Sequence, residues 1–117
     1  MKQEPKQREM TLNEYQQKAK QTAIYPKERA LEYLTLGLVG EAGEIANKVK
    51  KVIRDDEGGL SSKKREELIG ELGDVLWYLA NLATELDTYM HVVGELNIGK
   101  LTDRKMRGAL KGSGDKR

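Results

Sequence analysis

Two stretches of the chain decide its fold, GLVGEAGEIANKVKK at residues 37–51 and LIGELGDVLWYLANLA at residues 68–83. Each carries two acids three residues apart, Glu41 with Glu44 in the first stretch and Glu71 with Asp74 in the second. Residues at this spacing project from one face of an α-helix, one turn apart. Each pair lies among apolar residues, where an ionised carboxylate is costly to bury unless a positive charge meets it. We therefore expect two helices that bring up to four negative charges together around a cation.

The rest of the chain predicts more helix and no strands. Thr11 and Glu14 fit the capping-box pattern at a helix start, and Pro26 separates the first helix from the second. We expect four helices, at about residues 12–23, 27–54, 62–86 and 88–107. Ser61 or Ser62 is expected to cap the third helix, and Asp87 or Thr88 the fourth.

Apolar residues at helical spacing predict which sides of the two central helices are buried. They are Leu31, Leu34, Leu38, Ile45, Val49, Val52 and Ile53 on the second helix, and Leu68, Leu72, Val75, Leu76, Leu79 and Leu82 on the third. The fold class is therefore all-α, a bundle of about four helices. With 117 residues and few large aromatic side chains, we expect the bundle to be completed by a second subunit.

Composition bounds the class of protein. The chain is expected to have a flexible segment at residues 1–10, one domain at 11–107 and a glycine-rich basic tail at 108–117. A formal net charge of +2 is too mild to indicate a nucleic-acid polymer as a partner. The chain contains no cysteine, which excludes disulfides and thiolate chemistry. No stretch predicts a membrane span or a signal peptide, so we expect a cytoplasmic protein.

Five glycines lie within the predicted central helices, and each costs roughly 1 kcal/mol relative to alanine. They are Gly37, Gly40, Gly43, Gly70 and Gly73. One interpretation is that another backbone or a ligand comes close to these helix faces. The alternative is that the second helix breaks between Gly37 and Gly43 and leaves the acids on a loop.

The four acids form an oxygen-only ligand set, which favours Mg²⁺, with Mn²⁺ as the alternative. The single histidine, His91, has no useful spacing from either pair, so a histidine-containing iron site is not expected. Mg²⁺ held by carboxylates keeps positions open for water and phosphate oxygens, which indicates phosphoryl or nucleotidyl transfer to water. The alternative is that the acids are solvated and that Glu44 pairs with Lys48 one turn on.

The order of these motifs resembles the MazG-like all-α nucleoside triphosphate pyrophosphohydrolases. The resemblance rests on EAGE at 41–44, ELGD at 71–74, NIGKLTDR at 97–104 and GSGDKR at 112–117. It implies an oligomeric all-α fold and Mg²⁺-dependent cleavage of an NTP or dNTP to the monophosphate and pyrophosphate. Gly40 departs from the pattern, because the family often has a further acid there.

The resemblance also implies roles for individual residues. Glu41, Glu44, Glu71 and Asp74 match the metal-binding acids, and Glu41 or Glu44 is expected to position the attacking water. Asn81 matches a position that contacts base or sugar. The expected phosphate contacts are Asn97, Lys100, Arg104 and, in the tail, Lys116 and Arg117.

Other candidates keep two interpretations each. Lys48 and Lys51 reach a triphosphate, or they only complement the negative end of a helix. Tyr78, four residues after Asp74, lines the pocket, whereas its neighbour Trp77 is expected in the core. GSGDKR is either a plain tail or a glycine loop that closes over phosphates.

The predicted function is nucleotide-pool house-cleaning by pyrophosphohydrolysis. Related enzymes that act on dUTP and dUDP or on phosphoribosyl-ATP share the acids and the metal, so they remain alternatives. The alternative from another class is a non-catalytic helical interaction protein, whose stability does not respond to Mg²⁺.

Overall fold

The computed structural model describes residues 8–56 and 59–108, and within them every regular element is helical. A single 3₁₀ turn at Lys27–Arg29 leads into the second helix. The four helices are α1 (Leu12–Gln21), α2 (Ala30–Asp55), α3 (Ser62–Glu85) and α4 (Met90–Met106). The all-α prediction is confirmed, and α2 runs unbroken through its glycines, so the interpretation with the acids on a loop is wrong.

The local signals at the starts of α1 and α3 act as expected. The Thr11 hydroxyl accepts from the Glu14 backbone N–H while the Glu14 carboxylate accepts from the Thr11 backbone N–H, which completes the capping box of α1. Ser61 caps α3 by accepting from the Lys64 backbone N–H. Arg8, in the segment predicted to be flexible, donates two hydrogen bonds of 2.7 Å to the Glu14 carboxylate.

The predicted cap of α4 is wrong. Asp87 has a positive φ of 57° and ends α3, with its N–H bonded to the Thr84 carbonyl and the Thr88 N–H to the Ala83 carbonyl. This is the Schellman pattern of a helix C-terminus. Tyr89 is the N-cap of α4 and its side chain makes no capping bond.

The first N–H groups of α4 are satisfied from α1 instead. Gln16 Oε1 accepts from the Met90 N–H and Asn13 Oδ1 from the His91 N–H, each at 2.9 Å. The Asn13 amide also bonds to the His91 ring. These bonds attach the start of α4 to α1, and the His91 side chain is exposed.

α2 and α3 form an antiparallel hairpin. Tyr78 lies against Gly37, Lys48 reaches Glu67, and Lys64 pairs with Asp56. As the residue number rises along α2, the number of its partner on α3 falls. This register places the acidic pair of α2 alongside the acidic pair of α3.

The two buried clusters of the core lie at one end of the hairpin, and Val52 is buried near the other end. One cluster joins Ala19 of α1 to Ala80 and Ala83 of α3 and to Met90, and a second joins Tyr25, Ala30 and Leu34. Trp77 contacts both clusters, and its Nε1 donates to the Thr22 hydroxyl at 2.7 Å. The prediction that Trp77 packs in the core is confirmed.

Much of the predicted apolar stripe is not covered. Leu34 and Val52 are buried, but several other members are 40–67% exposed: Leu31, Val49, Ile53, Leu72 and Leu79. None of the described helices is long and apolar enough to cross a membrane.

Candidate metal centre on the α2–α3 hairpin

Three of the four predicted acids come together where α2 and α3 cross. Glu41, Glu71 and Asp74 each offer a carboxylate oxygen, and these oxygens lie within 4.8 Å of one another. Glu41 comes from α2, while Glu71 and Asp74 come from α3, one turn apart. The antiparallel register therefore assembles the group from both acidic motifs.

The charges in this group oppose one another. Loss of hydration raises the pKa of Glu41, and the negative charges of Asp74 and Glu71 raise it further. Glu71 Oε2 is buried without a hydrogen-bond partner among the described residues. Lys48 brings a positive charge to this carboxylate, with its Nζ 3.8 Å from Glu71 Oε1.

These observations fit a hard divalent cation. Carboxylate oxygens from three residues converge, one buried oxygen lacks a partner, and no sulfur or imidazole ligand belongs to the group. Mg²⁺ accepts such an all-oxygen set and completes its coordination with water and phosphate oxygens. The residues present are therefore suited to hold the predicted metal.

Glu44, the fourth predicted acid, is exposed and lies outside the three-carboxylate group. It is one helical turn from Glu41 and close enough that its charge contributes to the raised Glu41 pKa. The alternative pair between Glu44 and Lys48 is not what the structure records for Lys48, which turns toward Glu67 and Glu71 of α3. Whether Glu44 binds metal or positions water stays a prediction.

Lys48 and Lys51 line a cavity of about 200 Å³ that follows the same α2–α3 seam toward the connecting loop. A third lysine, Lys64, lines it from α3. Sequence analysis missed Lys64, because a lysine in the first turn of a helix has no local feature that separates it from surface charge. Only the helix register, with Lys51 and Lys64 on facing turns, could have indicated it.

Tyr78 lies at the opposite end of the acidic group, on α3 one turn after Asp74. Its ring packs edge-on against Trp77, with the centroids 5.0 Å apart. Burial raises its pKa, as do the charges of Tyr33, Glu41 and Asp74. Tyr78 therefore borders the acidic group, as its predicted place in the pocket requires.

Asn81 is fully buried opposite the core end of α2. Its Nδ2 donates to the Trp77 carbonyl at 3.1 Å, while Oδ1 has no hydrogen-bond partner in the described part of the chain. In this conformation a nucleotide does not reach the side chain. Its contact with base or sugar stays a prediction that requires a neighbouring side chain to move.

The predicted phosphate contacts on α4 are not brought against α2. Among the described residues α4 contacts α1 and α3 but not α2. Asn97 and Lys100 are exposed and Arg104 is buried. Lys116 and Arg117 lie outside the described residues, so the roles of all five stay predictions.

Comparison with known proteins identifies the family of the chain. The model of the MazG nucleotide pyrophosphohydrolase domain matches residues 29–107, which include the acidic group and α4. The chain is 50% identical over 114 residues to the "Gene 37 protein" of Mycobacterium phage L5, covering 92% of this chain and 100% of that protein. No solved structure matches the chain significantly. The chain belongs to the MazG nucleotide pyrophosphohydrolase family.

Proposed function

We propose that the protein hydrolyses an NTP or dNTP to the monophosphate and pyrophosphate, with Mg²⁺ as the cofactor and Mn²⁺ as an alternative. The observation that carries the proposal is the group of Glu41, Glu71 and Asp74, in which a buried Glu71 oxygen has no partner among the described residues. Such a group is unfavourable without a cation, and the family of the chain supports a nucleotide as the substrate.

Glu41, Glu71 and Asp74 are the residues that would hold the metal. A bound Mg²⁺ supplies Lewis-acid polarisation of the phosphate and neutralises charge that develops on the leaving pyrophosphate. The raised pKa of Glu41 fits this role, because a carboxylate among like charges gains most from a nearby cation.

Glu44 is the better candidate for the base, since its carboxylate stands one turn from Glu41 and outside the group. In the proposed step a water oxygen bonds to the α-phosphorus while the bond between that phosphorus and the α–β bridging oxygen breaks. The water proton passes to a Glu44 carboxylate oxygen, and pyrophosphate leaves.

The α4 and tail residues complete the proposal as phosphate contacts. Asn97, Lys100 and Arg104 recur at helical spacing, so they share one face of α4. Lys116 and Arg117 are proposed to act from the tail, and Asn81 to contact base or sugar. Among the described residues α4 does not contact α2 of its own chain, so the proposal places these residues at the hairpin of a second subunit.

We propose that the protein is a homo-oligomer, a dimer or a tetramer. Exposed residues recur at alternating spacings of three and four on α2: Leu36, Val39, Gly43, Ala46, Lys50 and Ile53. On α3 the apolar side chains of Ile69, Leu72 and Leu79 are 40–58% exposed. Rows of this kind pack against partner helices in bundles.

The proposed role is nucleotide-pool house-cleaning, and because that pool is cytoplasmic, so is the proposed location. A dUTP/dUDP hydrolase or a phosphoribosyl-ATP pyrophosphohydrolase would use the same acids with a different base pocket. A non-catalytic interaction protein would leave Glu71 Oε2 buried without a partner, which disfavours that alternative.

Turnover of a nucleotide panel tests the proposal. Purified protein is incubated with the NTPs, the dNTPs and phosphoribosyl-ATP, with Mg²⁺ or EDTA, and monophosphate and pyrophosphate are quantified. We expect equimolar products with Mg²⁺ alone, and a loss of at least about a hundredfold in Asp74→Asn. Glu66→Gln, an exposed α3 position outside the group, is the matched control. No turnover of any nucleotide, or full turnover by Asp74→Asn, would overturn the proposal.

A further inference from the structure

The cavity next to the acidic group has the size and charge of a small polyanion site. Its volume is about 200 Å³, and three of its lining residues are Lys48, Lys51 and Lys64. Pockets for whole drug-sized ligands start at about 300 Å³, so this one is too small for a complete nucleotide. Lysine ammonium groups are common partners of phosphate.

Three acids oppose the lysines of the cavity when no metal is bound. Lys48 Nζ lies 4.0 Å from Glu67 and 3.8 Å from Glu71, and Lys64 pairs with Asp56. Asp55 is held mainly by Arg54, through hydrogen bonds of 2.6 and 2.8 Å, and this contact lowers the Asp55 pKa. A cation held by the acidic group would neutralise Glu71, and the three lysines would then exceed Glu67 and Asp56 in charge.

The distance between the cavity and the acidic group suits a triphosphate that extends from one to the other. Lys48 and Lys51 follow Glu41 on α2 by seven and ten residues, about 10 and 15 Å along the axis. The Lys48 side chain closes that gap, since its Nζ is already 3.8 Å from Glu71. A triphosphate with its α-phosphate at the acids would extend its β- and γ-phosphates into the cavity.

We propose that the cavity of Lys48, Lys51 and Lys64 binds the pyrophosphate portion of the substrate and the pyrophosphate product, which rests on the proposed function above. Lys48 is a positioning residue with two partners. Without metal it neutralises Glu71; when a cation is held by the acids, Lys48 is released to the phosphates. The nucleoside then lies at the Tyr78 end of the seam.

Direct binding of inorganic pyrophosphate tests this inference without turnover. Calorimetry in EDTA is performed on wild-type protein, Lys64→Gln and Lys63→Gln, the last being an exposed neighbour that does not line the cavity. We expect about tenfold weaker binding for Lys64→Gln and unchanged binding for Lys63→Gln. No pyrophosphate binding by the wild type, or equal binding by all three proteins, would overturn the inference.

A second set of variants tests the two partners of Lys48. Glu71→Gln frees Lys48 in the absence of metal, so it should bind pyrophosphate in EDTA more tightly than the wild type. Asp74→Asn removes the same charge from the group without freeing Lys48, so its gain should be smaller. The double variant Lys48→Gln/Glu71→Gln should lose the extra affinity for pyrophosphate that Glu71→Gln gains. If the double variant kept this extra affinity, the role of Lys48 would be overturned.

The two proposals fail in different ways. Pyrophosphate binding that depends on Lys64, without hydrolysis of any nucleotide, would overturn the proposed function and support the anion cavity. Metal-dependent hydrolysis, with pyrophosphate binding that does not depend on Lys64, would support the proposed function and overturn the anion cavity.

Discussion

Tyr78 packs so closely on Gly37 that a β-carbon at Gly37 would lie 2.1 Å from Tyr78 Cε1. The sequence suggested another backbone or a ligand beside the helix glycines, but the close neighbour of Gly37 is a side chain of the same chain. Gly40, Gly43, Gly70 and Gly73 have open space where a β-carbon would stand. The contact fixes the Tyr78 ring beside the acidic group.

Gly37→Ala should therefore displace the Tyr78 ring and lower the free energy of unfolding by about 1–3 kcal/mol, as overpacked substitutions do. Gly70→Ala is the control, because it gains helix propensity without a clash and should stabilise by about 0.5–1 kcal/mol. Urea denaturation measures both, and near-ultraviolet circular dichroism reports the ring. Equal stabilisation by both variants would show that Tyr78 does not occupy this position.

The acidic group predicts a metal-dependent and pH-dependent stability. Because the folded-state pKa of Glu41 is raised, its ionisation opposes folding. This opposition is absent below the ordinary carboxyl pKa of about 4.3 and grows as the pH rises toward the raised value. In EDTA, Glu41→Gln should therefore gain stability over the wild type as the pH rises from about 4 to about 7.

Mg²⁺ should remove the difference in stability between wild-type protein and Glu41→Gln. At a hundredfold excess over its dissociation constant, a ligand specific for the folded state adds about 2.7 kcal/mol. We expect wild-type protein to gain thermal stability with Mg²⁺ and Glu41→Gln to gain much less. Scanning calorimetry with Mg²⁺ or EDTA measures both, and an identical response of the two proteins would exclude Glu41 as a ligand.

Tyr25 predicts a loss of stability in base. Its hydroxyl donates to Glu85 Oε2 at 2.7 Å, and burial together with this bond raises its pKa to about 12. The neutral phenol is favoured in the folded state, so its contribution is complete below about pH 10 and is lost as the pH rises through about 12.

Tyr25→Phe should cost about 1–2 kcal/mol at neutral pH, since it removes a hydrogen bond to a carboxylate. The cost should shrink as both proteins are denatured at increasing pH between about 10 and 12, because the wild type loses the bond there. Both proteins contain the same lysines, so the effect of lysine titration on stability cancels in the difference between them. A difference that stays constant across this range would contradict the assigned bond.

The exposed apolar side chains of α2 and α3 predict the oligomeric state. Wild-type protein should have at least twice the 13.2 kDa mass of one chain in light scattering. Leu72→Glu places a charge among the exposed apolar side chains of α3 and should shift the protein toward the monomer, whereas Gln17→Glu, the same charge change on exposed α1, should not. A monomeric wild type would refute the oligomer.

The sequence was sufficient where local chemistry controls the structure. Acid spacing predicted that Glu41, Glu44, Glu71 and Asp74 would meet; three of them do, and Glu44 lies outside the group. The capping box of α1 and the Ser61 cap of α3 follow from side chains within three residues of the helix start.

What the sequence did not predict depends on contacts distant along the chain. The start of α4 is capped by Asn13 and Gln16, more than seventy residues away, and no pattern near Tyr89 announces them. Apolar periodicity indicated which sides of α2 and α3 are hydrophobic, but not which of these sides other helices of the same chain cover. Leu31 and Leu72 were therefore wrongly expected to be buried. Lys64 became a candidate only when the hairpin register placed it opposite Lys51.

Hydrolysis in ¹⁸O-labelled water, with mass spectrometry of both products, tests the central claim most directly. Attack on the α-phosphorus at the acidic group predicts one labelled oxygen in the nucleoside monophosphate and none in pyrophosphate, with the reaction lost in EDTA. Label in the pyrophosphate, or release of orthophosphate in its place, would contradict the account.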